Sequence, residues 1–457
     1  MSKPWHLQIS VNCLWAIALF NSAYVRAQDS TFLELPGLLA IAATTHPAIQ
    51  TQQSLVQAAQ ESIATARWQY FPTPSVSVQN AASDGKDLSY AGDKTVTILA
   101  LNQPLWTGGR IEAGVERAQA NAQGAVANLA DAQQQLAVRV VQAYGDWLSA
   151  HRKKAAFAVG QTQHIRLKDQ VARRIQEGQA ASSDLALAQS RLASLEADFA
   201  QAATQEEVSL ARLSQLLGQP VAPLALAQSP AQPWPVRGSA GELLAQAQAA
   251  SPALARARSN AQAQLAVVQE AKSATLPEVS FRLEHQVGNF SYAGAPQQTR
   301  GFVNLSSRFG AGLSSLSAVS EALARHAGAL AEIESQQRSL SEQVLTDYAL
   351  LVSSQARRQA LQNSAELADQ VLASWDRQYL SGRKSWQDLM NSAREQVQVQ
   401  AQLADLDGSQ LVTSWRLAIS TGQYALPSPA LSVELGSGSG SGSAPGVDPR
   451  TATGSAL

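Results

Sequence analysis

The stretch RQYLSGRKSWQDLMNSARE, Arg377–Glu395, interrupts a segment that otherwise reads as helix. It sets a glycine, two cations and a tryptophan where an undisturbed helix has no use for them. A diluted copy stands earlier in the chain: RRIQEGQAASSDLALAQSR, Arg173–Arg191. The two copies lie 204 positions apart, Gly178 matching Gly382 and Asp184 matching Asp388. The same offset joins Leu101 to Leu305, Tyr144 to Tyr348 and Gly218 to Gly422. An offset of 205 joins His46-Pro47-Ala48-Ile49 to Ser251-Pro252-Ala253-Leu254, and ARWQYFP at 66–72 to AKSATLP at 271–277. Anchors that stay in register with one single-residue slip mark a duplicated unit.

Each half follows one plan. A moderate helix is expected from Pro47 to about Tyr70, with proline at the favoured first turn, and Pro72 and Pro74 end it. Two strand-like stretches follow, SVSVQ (75–79) and KTVTILALN (94–102), and their counterparts are VSFRLEHQV (279–287) and GFVNLSSRF (301–309). Ser-Tyr-Ala-Gly recurs in the loop between the strands of each half. Then come two long proline-free segments, about Gly109 to Glu177 and about Leu313 to Ser381, each roughly 100 Å long as helix. After each glycine interruption a helix returns, to Gly218 or to Gly422. The two shorter helices of a half can lie end to end beside the long one, with the hairpin at one end and the glycine turn at the other. The expected division is a first repeat over 28–218, a linker over 219–241, a second repeat over 242–424 and a Gly/Ser-rich flexible tail over 425–457. The linker prolines are read as excluding a helix there.

Composition restricts function. The 457 residues carry a formal net charge of −1, which gives no global attraction to nucleic acid or to acidic membranes. Residues 1–27 read as a secretory signal, with Lys3, an apolar run from Leu14 to Phe20 and Val25-Arg26-Ala27 as the cleavage site; the alternative is a retained anchor. The one cysteine, Cys13, falls inside that run, so a cleaved chain has no thiol and no cysteine to carry a lipid. The six histidines show no metal-ligand spacing, and neither a nucleophile motif nor a phosphate loop is present, so no cofactor, no metal and no enzyme activity are expected.

The strands leave two options. Val76 and Val78 share a face, as do Val96, Ile98 and Ala100, and as do Val279, Phe281 and Leu283, with Arg282 and Glu284 opposite. Such strands suit the wall of a transmembrane barrel around a wet lumen, or a half-buried hairpin on a soluble domain. Four strands cannot close a water-filled barrel, so a barrel requires several chains; three would supply twelve strands.

In this duplicated order, in LNQPLWTGGR (101–110) and in the G…DL…A pattern after each glycine turn, the sequence resembles the TolC family of bacterial outer-membrane channel proteins, from about Leu33 to Tyr424. The resemblance implies a mainly α fold: a homotrimer with a twelve-strand outer-membrane β-barrel, set in outer-membrane lipid, and a long periplasmic α-helical barrel. It also implies a passive exit duct that docks with a periplasmic adaptor (membrane fusion) protein and an inner-membrane transporter. Gly382-Arg383-Lys384-Ser385-Trp386 looks most like the branch serving type I secretion of large adhesins, whose transporter is an ABC exporter. The alternatives are a duct for a multidrug or metal efflux pump, proton-driven, and a soluble periplasmic coiled-coil scaffold.

The resemblance also places a gate. Gly178 and Gly382 become the periplasmic tip. Asp184 and Asp388 become rings of carboxylates in a narrow bore, or plain first-turn acids that complement a helix dipole. Tyr379 and Lys384, with Arg383 beside them, become bonds across to Asp184 or its neighbours on an adjacent hairpin; the two cations can equally be solvated loop charges. Many relatives carry a second acid one turn after Asp388, where this chain has Asn391. Ser385 and Trp386 become tip-turn or adaptor contacts, with a buried coiled-coil aromatic as the alternative for Trp386.

Overall fold

The structure is a computed structural model that describes residues 34–427, apart from 84–86, 229, 308–309 and 312–313. The expected signal segment and nearly all of the Gly/Ser tail lie outside the described residues. Within them the repeat is direct. The first half runs α2 (Pro47–Trp68), β1 (Thr73–Asn80), β2 (Thr95–Trp106), α3 (Arg110–Gln176) and α4 (Ser182–Leu217). The second runs α7 (Pro252–Ser273), β3 (Glu278–Val287), β4 (Gln298–Ser306), α8 (Ser314–Leu380) and α9 (Trp386–Ser420). The two long helices have 67 residues each, roughly 100 Å.

The helices line up as adjacent columns. Along its first part α3 meets α7, through Arg117–Glu270 at 3.0 Å and Arg256–Asp131 at 3.4 Å. Along its later part it meets α4 on one side and α9 on the other, and α9 in turn meets α8. The α3–α9 crossing is close: a Cβ added at Gly408 would lie 2.6 Å from the Gly145 carbonyl oxygen. Buried charges are paired at these seams. Asp407 is held by Arg152 and Arg358, and Asp347 accepts from the Nε–H and one Nη–H of Arg416. Glu206 of α4 meets Lys154 at 2.8 Å and His151 at 2.7 Å, both on α3.

Three helices depart from the expected plan. α1 (Leu35–Thr45) and α6 (Ala240–Ala250) precede the repeats' first helices, and α5 (Pro223–Gln228) lies inside the linker that was expected to be helix-free. Pro223 opens α5, where its missing N–H and fixed φ cost nothing. His46 and Ser251, each before a proline, are extended and so separate α1 from α2 and α6 from α7. The linker is fastened mid-bundle: the Ala231 N–H donates to the Tyr144 hydroxyl at 2.8 Å, and the Trp415 indole donates to the Gln232 carbonyl at 3.0 Å. Trp234, Trp415 and Tyr424 form a ring triangle, and Leu426, just inside the expected tail, packs on the same core.

The four strands form one antiparallel sheet in the order β1-β2-β3-β4. Its register corrects the reading of β2. Val76 pairs with Leu99, Leu101 with Leu283, and Leu283 with Gly301. Paired residues share a face, so the apolar face runs through Val76, Val78, Leu99, Leu101, Phe281, Leu283, Val303 and Leu305. Ile98 and Ala100 pair with Ser77 and Ser75, on the face that carries Arg282, Glu284 and Arg300. Residues 98–101 of β2 are apolar on both faces, so periodicity alone could not choose. Among the described residues no helix is long and apolar enough to cross a membrane.

Candidate functional site: the double-hairpin tip

Both glycine turns are built the same way. Gly178 and Gly382 have φ of 72° and 73°, a left-handed conformation that glycine adopts without a Cβ penalty. The Gly178 N–H donates to the Ile175 carbonyl and that of Gln179 to Arg174; the Gly382 N–H donates to Tyr379 and that of Arg383 to Gln378. This is the paired bonding of a Schellman cap, which satisfies the last carbonyls of each long helix. The restarts differ. Ser385 caps α9, its hydroxyl accepting from the Asp388 N–H at 3.1 Å, whereas α4 starts at Ala181 with no side-chain cap.

The expected gate residues fall into two groups. Asp184 and Asp388 occupy the same position, third in the first turn of α4 and α9. There each carboxylate complements its helix dipole. Lys384 stays in its own hairpin: its ammonium lies 4.0 Å from the centre of the Trp375 ring and 3.8 Å from Asp388. Arg383 is exposed.

Tyr379 and Trp386 are interior, at 5% and 4% exposure, with ring centres 5.2 Å apart. They belong to a tip core with Leu167, Val171, Leu372, Leu389 and Met390. The Trp386 ring therefore faces the hairpins of its own chain.

Two side chains near the turns, Trp386 and Arg174, join the hairpins within one chain. The Trp386 indole N–H donates to the Asp184 carbonyl at 2.9 Å. Arg174, at the end of α3, donates to the Tyr379 and Leu380 carbonyls at 3.1 and 3.4 Å, and its guanidinium lies 4.7 Å from the Tyr379 ring centre. A cation there offsets the negative end of α8. Arg174 was not among the expected site residues. The signal was its place four residues before Gly178, the last turn where cations meet open carbonyls. Among the described residues no cluster of His, Cys, Asp and Glu could hold a metal ion.

The comparisons with known proteins agree with this architecture. The profile of the family described as outer membrane efflux protein matches residues 38–219 and 243–423, one segment per repeat. No curated protein matches the sequence. Among solved structures, the outer-membrane channel OprN is similar with a TM-score of 0.75 at 21% identity, over 86% of this chain and 91% of that one. The outer membrane protein VceC from Vibrio cholerae has a TM-score of 0.73 at 17% identity, over 85% and 96%. The open state of the Neisseria gonorrhoeae MtrE outer membrane channel has 0.69 at 17%, over 84% and 88%. At these identities the structural likeness establishes a shared fold alone, and the profile match establishes the kinship. The chain thus belongs to the outer membrane efflux protein family: it is a TolC-like, non-enzymatic channel protein of the outer membrane that extends into the periplasm.

Proposed function

We propose that three copies of this chain form a passive exit duct for type I secretion. The duct would carry a large protein, of the adhesin kind, from an inner-membrane ABC exporter and its periplasmic adaptor to the cell surface. The observation that carries the duct is the pair of open edges. β1 and β4 each pair on one side only, and four strands cannot close a wet barrel. The α8 column has the same shortage, with Leu316, Leu323 and Leu330 exposed at seven-residue spacing. Twelve strands and a closed ring of helices answer both. Family members work as trimers with periplasmic adaptors and inner-membrane pumps.

The cargo reading rests on the second turn. Its Arg-Lys-Ser-Trp run supplies a capped, cation-bearing tip that the first turn lacks. The family's description favours a second reading, an efflux duct for small molecules or metals. Deleting the gene decides between them. Loss of a large surface protein with unchanged drug and metal sensitivity supports secretion; increased sensitivity with an unchanged surface overturns it.

For the gate, we place Asp184 and Asp388 as carboxylate rings that favour cations. Changing both to Asn is expected to lower cation preference in planar bilayers, read as a reversal potential nearer zero under a salt gradient. An unchanged potential removes the ring role.

A further inference from the structure

Gly160 of α3 lies against both neighbouring columns. A Cβ added there would be 2.6 Å from Val397 Cγ2 on α9 and 3.2 Å from Leu195 Cδ2 on α4. Both neighbours run antiparallel to α3, so one turn forward on α3 is one turn back on each of them. That step brings His164 level with Arg191 of α4 and Arg394 of α9. The three side chains line one groove between the helices, of about 440 Å³, together with Phe157, Leu195 and Val397.

The charges in this groove are not balanced from within. The Arg191 Nε is buried and has no hydrogen-bond acceptor. Among the described residues no ion pair holds either Arg191 or Arg394. A buried donor without an acceptor forfeits a hydrogen bond, and two cations at one level repel each other. An anion shared between them removes both costs. Asp198 also lines the groove, but it stands seven residues beyond Arg191, about 10 Å further along α4. His164 is buried, with its Nδ1 bonded to the Gly160 carbonyl at 2.9 Å, and burial favours its neutral form. The remaining wall is apolar: Leu195 and Val397 are buried and Phe157 is half-buried.

We propose that this groove binds a small amphipathic oxyanion, a carboxylate or phosphate on an aromatic or hydrocarbon body. Arg191 and Arg394 hold the head, as guanidinium forks match the oxygens of such groups. Phe157, Leu195 and Val397 surround the body. The groove is larger than a bare inorganic anion needs, and its apolar wall selects the organic one. Every residue comes from a single chain, so the site depends neither on the cargo proposed above nor on the number of copies.

The test is isothermal titration calorimetry of the full chain in detergent at fixed chloride, with benzoate as the probe and benzyl alcohol as its uncharged counterpart. Benzoate is expected to bind once per chain, about tenfold or more tighter than benzyl alcohol. Arg191→Gln and Arg394→Gln are each expected to weaken benzoate by about tenfold and to leave benzyl alcohol unchanged. Arg394 is exposed, so its variant keeps the fold even where the loss of Arg191 disturbs it, and circular dichroism checks both. Arg383→Gln, which removes an exposed cation at the second turn, is expected to bind benzoate as wild type does. Benzoate that binds no tighter than benzyl alcohol overturns the site, as does equal affinity in wild type and Arg394→Gln. A loss of the same size in Arg383→Gln overturns it too, by assigning the effect to overall charge.

Discussion

Trp386 shows how one side chain serves two purposes. Its ring fills the tip core, and its N–H satisfies a carbonyl of the other hairpin. Trp386→Phe keeps most of the packing and removes the donor, at a cost of ~1 kcal/mol. Hydrogen exchange around residues 181–188 is expected to quicken by about fivefold, the same energy expressed as a rate; unchanged exchange would sink the role. Two other residues give the bundle a pH response. Burial pushes His164 below its usual value, against its bond to the Gly160 carbonyl, and the Arg191 charge adds to the push. Burial would raise Glu206, but Lys154 and His151 outweigh it and hold the carboxyl down. Both depressed groups stabilise the fold at higher pH. His164 loses its contribution as pH falls from about 6.5 toward its folded value, and Glu206 loses its own below about 4.5. Melting followed by circular dichroism is expected to fall in those two stages, with His164→Leu removing the first. The glycines and acids of the tip were legible because they repeat. The Trp386 and Arg174 bonds were not, since they join residues about 200 positions apart whose meeting depends on which columns are neighbours.

At the scale of elements, the α3–α9 crossing is the closest test of packing. Alanine gains ~1 kcal/mol over glycine in a helix interior. At Gly408 the added Cβ would press on the Gly145 carbonyl oxygen and lie 2.9 Å from the Ser149 Cβ, and overpacking of this kind costs ~1–3 kcal/mol. A backbone oxygen has no rotamer by which to move aside. Gly408→Ala is therefore expected to lower the melting temperature; a rise would mean that the two helices separate easily. Long helices and hairpins were readable from the proline-free runs and the period-two stretches. The faces of β2 were not, because Val96, Ile98 and Ala100 alternate with Leu99 and Leu101 and only the cross-strand register separates them. The short helices α1, α5 and α6 escaped because proline opens a helix as readily as it ends one.

For the whole molecule, the exposed leucines of α8 are the surface a second copy would cover. Leu323→Glu with Leu330→Glu is expected to convert trimer to monomer in detergent, read by mass photometry, with helix content retained. A trimer that survives both charges would place the contact elsewhere.

The duplication has one more consequence, visible when the 204-residue offset is applied to the seam between α3 and α9. That seam is welded by Gly145 against Gly408 and by Arg152 against Asp407. The equivalent positions on α8 and α4, which would face each other between copies in a ring of three, hold Ala349 against Thr204 and Ala356 against Ala203. Neither the close approach nor the ion pair is reproduced there. A ring so built has six joints between hairpins, three riveted and three plain. A partner pulling on its periplasmic mouth would part it at the plain ones, dividing it into three sectors that each move as one piece.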